Sequence, residues 1–151
     1  MLKFYKNNDS ILNAQSKSGE RMGLTLSLIE KTNDVDGSLL ELGVFQGGTT
    51  VVFAKFLQQL KSDKQIFACD TFSGYPYKDN NPDMPLASGQ FYADTNIDRV
   101  KNQYDKFNVS DQITIIEGRF DDTLHAHLSD QRFSFAYFDA DLYNSTKVGF
   151  I

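Results

Sequence analysis

The stretch Leu39–Phe56, LLELGVFQGGTTVVFAKF, decides the fold. It opens on apolar residues, reaches Glu41, then crosses Gly43, Gly47 and Gly48 within six residues. After the glycines it becomes apolar at helical spacing. Phe53, Phe56, Leu57 and Leu60 share one face, which predicts a helix over Thr49–Leu60. An acid ending a short strand, followed by a turn almost bare of side chains, lets something come close to the backbone. The helix start behind it adds unpaired N–H groups and the positive end of a dipole. The spacing E-x-G-x-x-x-G-G departs from the G-x-G-x-x-G of a dinucleotide turn and lacks the G-K-[ST] of a phosphate loop. It suits a nucleoside better than a pyrophosphate. A tight strand-to-helix turn with no ligand is the plainer alternative.

Outward from this turn the chain alternates. The segment up to about Lys31 reads as helical, with Met22, Leu26 and Ile29 on one face, and Asn33–Gly37 breaks it. Strands are expected at Ser38–Gly43, Gln65–Asp70, Gln112–Glu117 and Phe133–Asp139. Helices are expected at Asp94–Phe107, at Thr123–Leu128 and from Ser145 onward. Asp94 or Thr95 is the expected cap of the first of these, with Ile97, Val100, Tyr104 and Phe107 facing inward. Thr71–Ala93 holds all three prolines and reads as a long loop. Strands alternating with helices predict an α/β fold, a parallel sheet with helices on both faces. Ligands of such sheets bind beyond the carboxyl ends of the strands. Those ends are Glu41–Gly48, Asp70–Phe72, Glu117–Phe120 and Asp139–Asp141. The expected division is a helical segment over 1–34 and a ligand-binding domain over 35–151. Ile151 falls inside the last expected helix, so the sheet is expected to be truncated after its fourth strand, a fragment of a longer domain.

Composition narrows the class. The chain has 151 residues, 40% of them hydrophobic and 13% aromatic, enough for one globular domain. A net charge of −5 gives no basic face for nucleic acid. No apolar run approaches the roughly 18 residues of a membrane span, and MLKFYKNNDS has no secretory h-region. Cys69 has no second cysteine to pair with, so a reducing cytoplasm is the expected location.

Asp70, at the second strand end, could accept two hydrogen bonds from a ribose diol, or else cap a helix. Asp139 follows an apolar strand and could bind a hard cation, take a proton or hold an ammonium group. Asp141 reads rather as a cap of the next helix. His125 and His127 stand at i, i+2 and do not share a helical face, which disfavours a metal role. Cys69 reads as a small core residue. Tyr75, Tyr77, Phe91 and Tyr92 either line a substrate mouth or anchor the loop.

In order, ELGVFQGGTT, IFACDTFSGYP, ITIIEGRFDDTL and FDADLYNST resemble the macrocin O-methyltransferase (TylF-type) family. These are class I S-adenosylmethionine-dependent methyltransferases. The likeness runs from about Val35 to Ser145. It implies a Rossmann-like sheet, with Glu41 and Gly43 beside the methionine part of the cofactor and Gly47 and Gly48 completing the turn. It implies that Asp70 holds the ribose, and that Thr71, Phe72, Gly118 and Phe120 surround the adenine. It places Asp139 at the reacting end, as a ligand of magnesium and as the base. The acceptor would be a hydroxyl of a sugar or another small natural product. Three departures stand out. Gln46 replaces a basic residue common in the family, and His125 stands where proline is frequent. The acid pair that completes the family's magnesium site, after a fifth strand, does not occur in this sequence. The chain is therefore expected to bind cofactor but not to catalyse, and an exposed sheet edge leaves a homodimer open. Two other readings are a non-catalytic nucleoside-binding domain that dimerises, and a nicotinamide-dependent oxidoreductase, against which the glycine spacing argues.

Overall fold

A computed structural model of the chain describes residues 19–76 and 92–150. The elements are α1 (Gly19–Lys31), β1 (Ser38–Leu42), α2 (Gly48–Leu60), β2 (Ile66–Asp70) and α3 (Ile97–Lys106). A 3-10 turn (Ser110–Gln112), β3 (Ile113–Glu117), α4 (Phe120–Leu128), β4 (Phe133–Phe138) and α5 (Tyr143–Gly149) follow. Tyr77 and Phe91, and most of the expected Thr71–Ala93 loop, lie outside the described residues.

The strands form one sheet in the order β3-β2-β1-β4, and every pair is parallel. β1 is therefore central, with Leu39 opposite Ile66 on one side and Phe135 on the other. Its side chains alternate between two cores, as the two-residue period of a strand requires. Leu39 joins Met22, Leu26 and Ile29 of α1, Phe53 and Phe56 of α2, and Val100 and Tyr104 of α3. Leu40 and Leu42 join Cys69, Ile116 and Leu128 on the other face. Helix α2 is buried well beyond a single stripe: every residue from Gly48 to Leu57 except Lys55 is buried. The sheet covers one side of α2, and α1 and α3 contribute to the same core.

Three expected boundaries shift, each for a local reason. Helix α3 is capped by Asn96, whose side chain accepts the Arg99 N–H at 2.9 Å, and not by Asp94 or Thr95. Those two are drawn to the β1–α2 turn instead. The Thr95 hydroxyl donates to the Phe45 carbonyl at 2.7 Å, and the Asp94 carboxylate accepts from the Gln46 amide at 3.1 Å. Helix α4 starts earlier than Thr123, because the Arg119 carbonyl accepts both the backbone N–H and the hydroxyl of Thr123, at 3.0 and 2.8 Å. Helix α5 starts at Tyr143 rather than Ser145.

β2 and β3 lie on one side of β1 and β4 on the other. The connections that leave β1 and β4 diverge at that switch point and open a crevice above the sheet. No helix among the described residues is long and apolar enough to cross a membrane.

Candidate active site

The bare turn after β1 is shaped first by the protein's own chain. Gly43 has φ +95°, and a Cβ there would meet the Asp139 carbonyl oxygen at 2.3 Å. The ends of β1 and β4 approach so closely that only hydrogen fits between them. Gly47 has φ +78°, and a Cβ there would lie 2.8 Å from the Tyr104 ring of α3. Gly48, at the start of α2, is the paired glycine that faces the crevice.

Asp70 anchors the same turn. Its Oδ2 accepts the N–H groups of Val44 and Phe45 at 2.7 and 2.9 Å, and its Oδ1 accepts the Phe72 N–H at 2.9 Å. Phe45 and Phe72 both take left-handed backbone angles, φ 55° and 51°. A bulky residue adopts such angles only where its surroundings impose them. Here the carboxylate supplies the restraint.

Beneath the turn lies a buried polar chain. Glu41 is 1% exposed, and its Oε2 accepts the Thr50 hydroxyl at 2.6 Å. The Tyr104 hydroxyl donates to Thr50 at 2.9 Å. Burial, with the Glu41 charge nearby, holds the Tyr104 phenol far above its ordinary range, so it remains a donor. The chain ties β1, α2 and α3 together behind the glycines. Cys69, on β2, is pushed up to about 12 by burial and by Glu41 and Asp70, which makes it an inert thiol.

The opposite lip comes from β4. The Asp139 N–H donates to the Leu42 carbonyl at 2.8 Å, continuing the β1–β4 ladder one residue past the strand. Asp139, Ala140 and Asp141 all line the crevice. Asp141 sits at φ 59° and does not cap α5 with its side chain. Instead it accepts the Tyr75 hydroxyl at 3.1 Å. The Tyr75 ring packs on Tyr92 with centroids 5.4 Å apart, and Tyr92 meets Phe45 edge-on at 5.0 Å. Burial first, then Asp141, raises the Tyr75 phenol above its ordinary value, so it stays protonated and donating. This row of side chains joins the lips that leave β1, β2 and β4. Asp141 is the cleft residue that the reading of the sequence ranked low, and Tyr75 is one that it left open between lining a mouth and anchoring the loop. The signal for Asp141 was its place two residues beyond the acid that ends an apolar strand.

The crevice therefore brings together Gly43, Gly48, Asp70, Thr71, Phe120 and Asp139. It does not include four other candidates. Glu41 is buried behind the turn, and Gly47 faces Tyr104. Phe72 is 3% exposed within the core beside the sheet. The Cβ direction of Gly118 is filled by the Thr123 methyl at 2.6 Å. For a nucleoside sulfonium the residues fit at the turn and at Asp70, where backbone, a helix N-terminus and a carboxylate share one wall. For a divalent ion they do not make a site: no group of three or more His, Cys, Asp or Glu could hold a metal among the described residues.

A family model described as macrocin-O-methyltransferase (TylF) matches residues 18–150. No curated protein sequence matches significantly. Among solved structures the chain is similar to the O-methyltransferase NovP, with 23% identity and a TM-score of 0.71, over 85% of this chain and 55% of that one. It is also similar to CalS11, described as a calicheamicin methyltransferase, with 22% identity and a TM-score of 0.73, over 97% of this chain and 70% of that one. A third likeness, to a structure described as cmcI-N160 SAH, has 14% identity and a TM-score of 0.54. At these identities the structural likenesses establish the fold, a class I methyltransferase sheet. The chain spans 55% of the length of NovP.

Proposed function

The chain belongs to the macrocin-O-methyltransferase (TylF) family, and from that membership we propose that it binds S-adenosylmethionine and serves methyl transfer to a hydroxyl group. The acceptor we propose is a hydroxyl of a sugar or other small natural product, the class to which calicheamicin, in the description of CalS11, belongs. One observation carries the reading: the glycine turn, Asp70 and Asp139, from three different strand ends, line a single crevice.

Each residue then has a task. The turn and the start of α2 offer bare backbone to the methionine end, and Asp70 accepts from the ribose. Thr71 and Phe120 stand at the adenine end. Glu41, Gly47, Phe72 and Gly118 act from behind, by shaping the walls. The cofactor, when bound, supplies the electrophilic methyl. The protein must hold acceptor oxygen, methyl carbon and sulfur in line. Asp139 would take the proton of the acceptor hydroxyl. Asp141, held by Tyr75, lies beside it. The resemblance assigns a magnesium ion to Asp139, but no third donor joins Asp139 and Asp141 among the described residues.

Calorimetric titration of the full chain with S-adenosylhomocysteine tests the proposal. The expected result is saturable heat, retained within a few-fold by Asp139→Ala. A well-folded protein that gives none sinks it. The exposed edge favours one second reading. β4 closes the sheet with side chains only half-covered and Ala136 exposed. A domain that binds the nucleoside without catalysis and pairs along that edge would show a dimer mass in solution.

A further inference from the structure

We propose that Asp70 serves first as the lock of the β1–α2 turn and, for that reason, accepts one cofactor hydroxyl through Oδ1 instead of clasping a ribose diol with both oxygens. The inference rests on the cofactor reading above and adds the mode of binding.

Counting acceptor positions leads there. An ionised carboxylate offers roughly four lone-pair sites, two on each oxygen. Both sites on Oδ2 are taken, by Val44 N–H at 2.7 Å and Phe45 N–H at 2.9 Å. One site on Oδ1 is taken by Phe72 N–H at 2.9 Å. The Thr71 hydroxyl lies 3.4 Å from Oδ1 but 2.6 Å from the Gly74 carbonyl, and its single proton goes to the nearer oxygen. One acceptor direction is left, on Oδ1. Asp70 is half-buried and lines the crevice, so a ligand can reach that direction.

Freeing Oδ2 for a second hydroxyl would exchange two charge-assisted N–H bonds for one O–H bond. It would also release Phe45 from its left-handed angle, and with it the edge contact to Tyr92. Binding with the lock intact avoids both losses. The two ribose hydroxyls then become unequal: one meets the carboxylate and the other does not.

The test is calorimetry of the full chain with S-adenosylhomocysteine and its 2′-deoxy and 3′-deoxy analogues. One analogue is expected to bind about 10-fold or more weakly, as for loss of a hydrogen bond to a charged group, while the other stays within about twofold. Similar losses for both analogues, or none for either, overturn the inference while leaving cofactor binding in place. Absence of binding by S-adenosylhomocysteine itself removes the cofactor reading and this inference with it. In Asp70→Asn the gap between the two analogues is expected to close, which a purely structural role would not produce. A gap that persists in that variant also overturns the inference. The wild-type comparison decides the matter even if the variant does not fold.

Discussion

The two lips of the crevice are built to different standards. The β1–α2 lip is fastened from several directions: Asp70 grips its amides, Thr95 holds the Phe45 carbonyl, and the Glu41–Thr50–Tyr104 chain braces it from behind. β1 is buried on both faces along most of its length, whereas β4 is half-covered with Ala136 exposed. The β4 lip is held by the ladder bond of Asp139 and by the Tyr75–Asp141 pair at its surface. The wall proposed to hold a cofactor is preorganised by the core, and the wall that presents the acids is tied to β1 through the Asp139 N–H.

Gly43 is the seam between the lips, and Gly43→Ala is the most damaging change expected. It combines a φ of +95° with a methyl 2.3 Å from a backbone oxygen. A loss of about 3 kcal/mol or more is expected from overpacking and left-handed strain together. Thermal unfolding measures it, and a near-wild-type melting point would mean that the β1–β4 contact yields easily.

Next in size is Thr50→Val, which removes the hydroxyl that serves the buried Glu41 carboxylate. It should cost about 2–3 kcal/mol. Tyr75→Phe, on the other lip, should cost under about 1 kcal/mol, because that hydrogen bond is near solvent. Denaturant midpoints of the two variants test the asymmetry, and equal losses would erase it.

A separate effect appears only in alkali. The Cys69 thiol rises from 9.0 to about 12 on folding, and the Tyr137 phenol from 10.0 to about 12, both chiefly through burial. In each case the unfolded chain releases its proton first. This stabilisation is whole below pH 9 and is lost as pH climbs from about 9 towards 12. Cys69→Ala should flatten the early part of that decline in melting temperature and leave the later part, which belongs to the raised phenols of Tyr75, Tyr104 and Tyr137. An unchanged slope would mean that Cys69 is wetter than its burial implies.

Much of this arrangement was legible in the chain itself. The strand-and-helix alternation, the inward faces of α1 and α3, and the acids at the strand ends follow from local apolar periodicity and from where each run stops. The membership of Gly43, Asp70 and Asp139 in one rim was also readable, because a parallel sheet gathers its strand ends at one side. Other features escaped for a common reason. Asn96 outcompetes Asp94 and Thr95 as a cap because those two find partners on Phe45 and Gln46, which stand 48 to 50 positions away. Asp141 looked like a cap until Tyr75, distant in sequence, supplied a better partner.

Local order was enough to determine the elements, their sequence along the chain and the presence of a bare, acid-flanked turn. It could say that space was needed at the glycines, but not what would fill it. Only the packed sheet decided that the Asp139 carbonyl occupies the space at Gly43, that Tyr104 occupies it at Gly47, and that Asp70 spends most of its oxygens on its own backbone. The physical reason is that a glycine or a carboxylate encodes a capacity, while its partner is set by which strands become neighbours. That was settled when β1 took its place between β2 and β4.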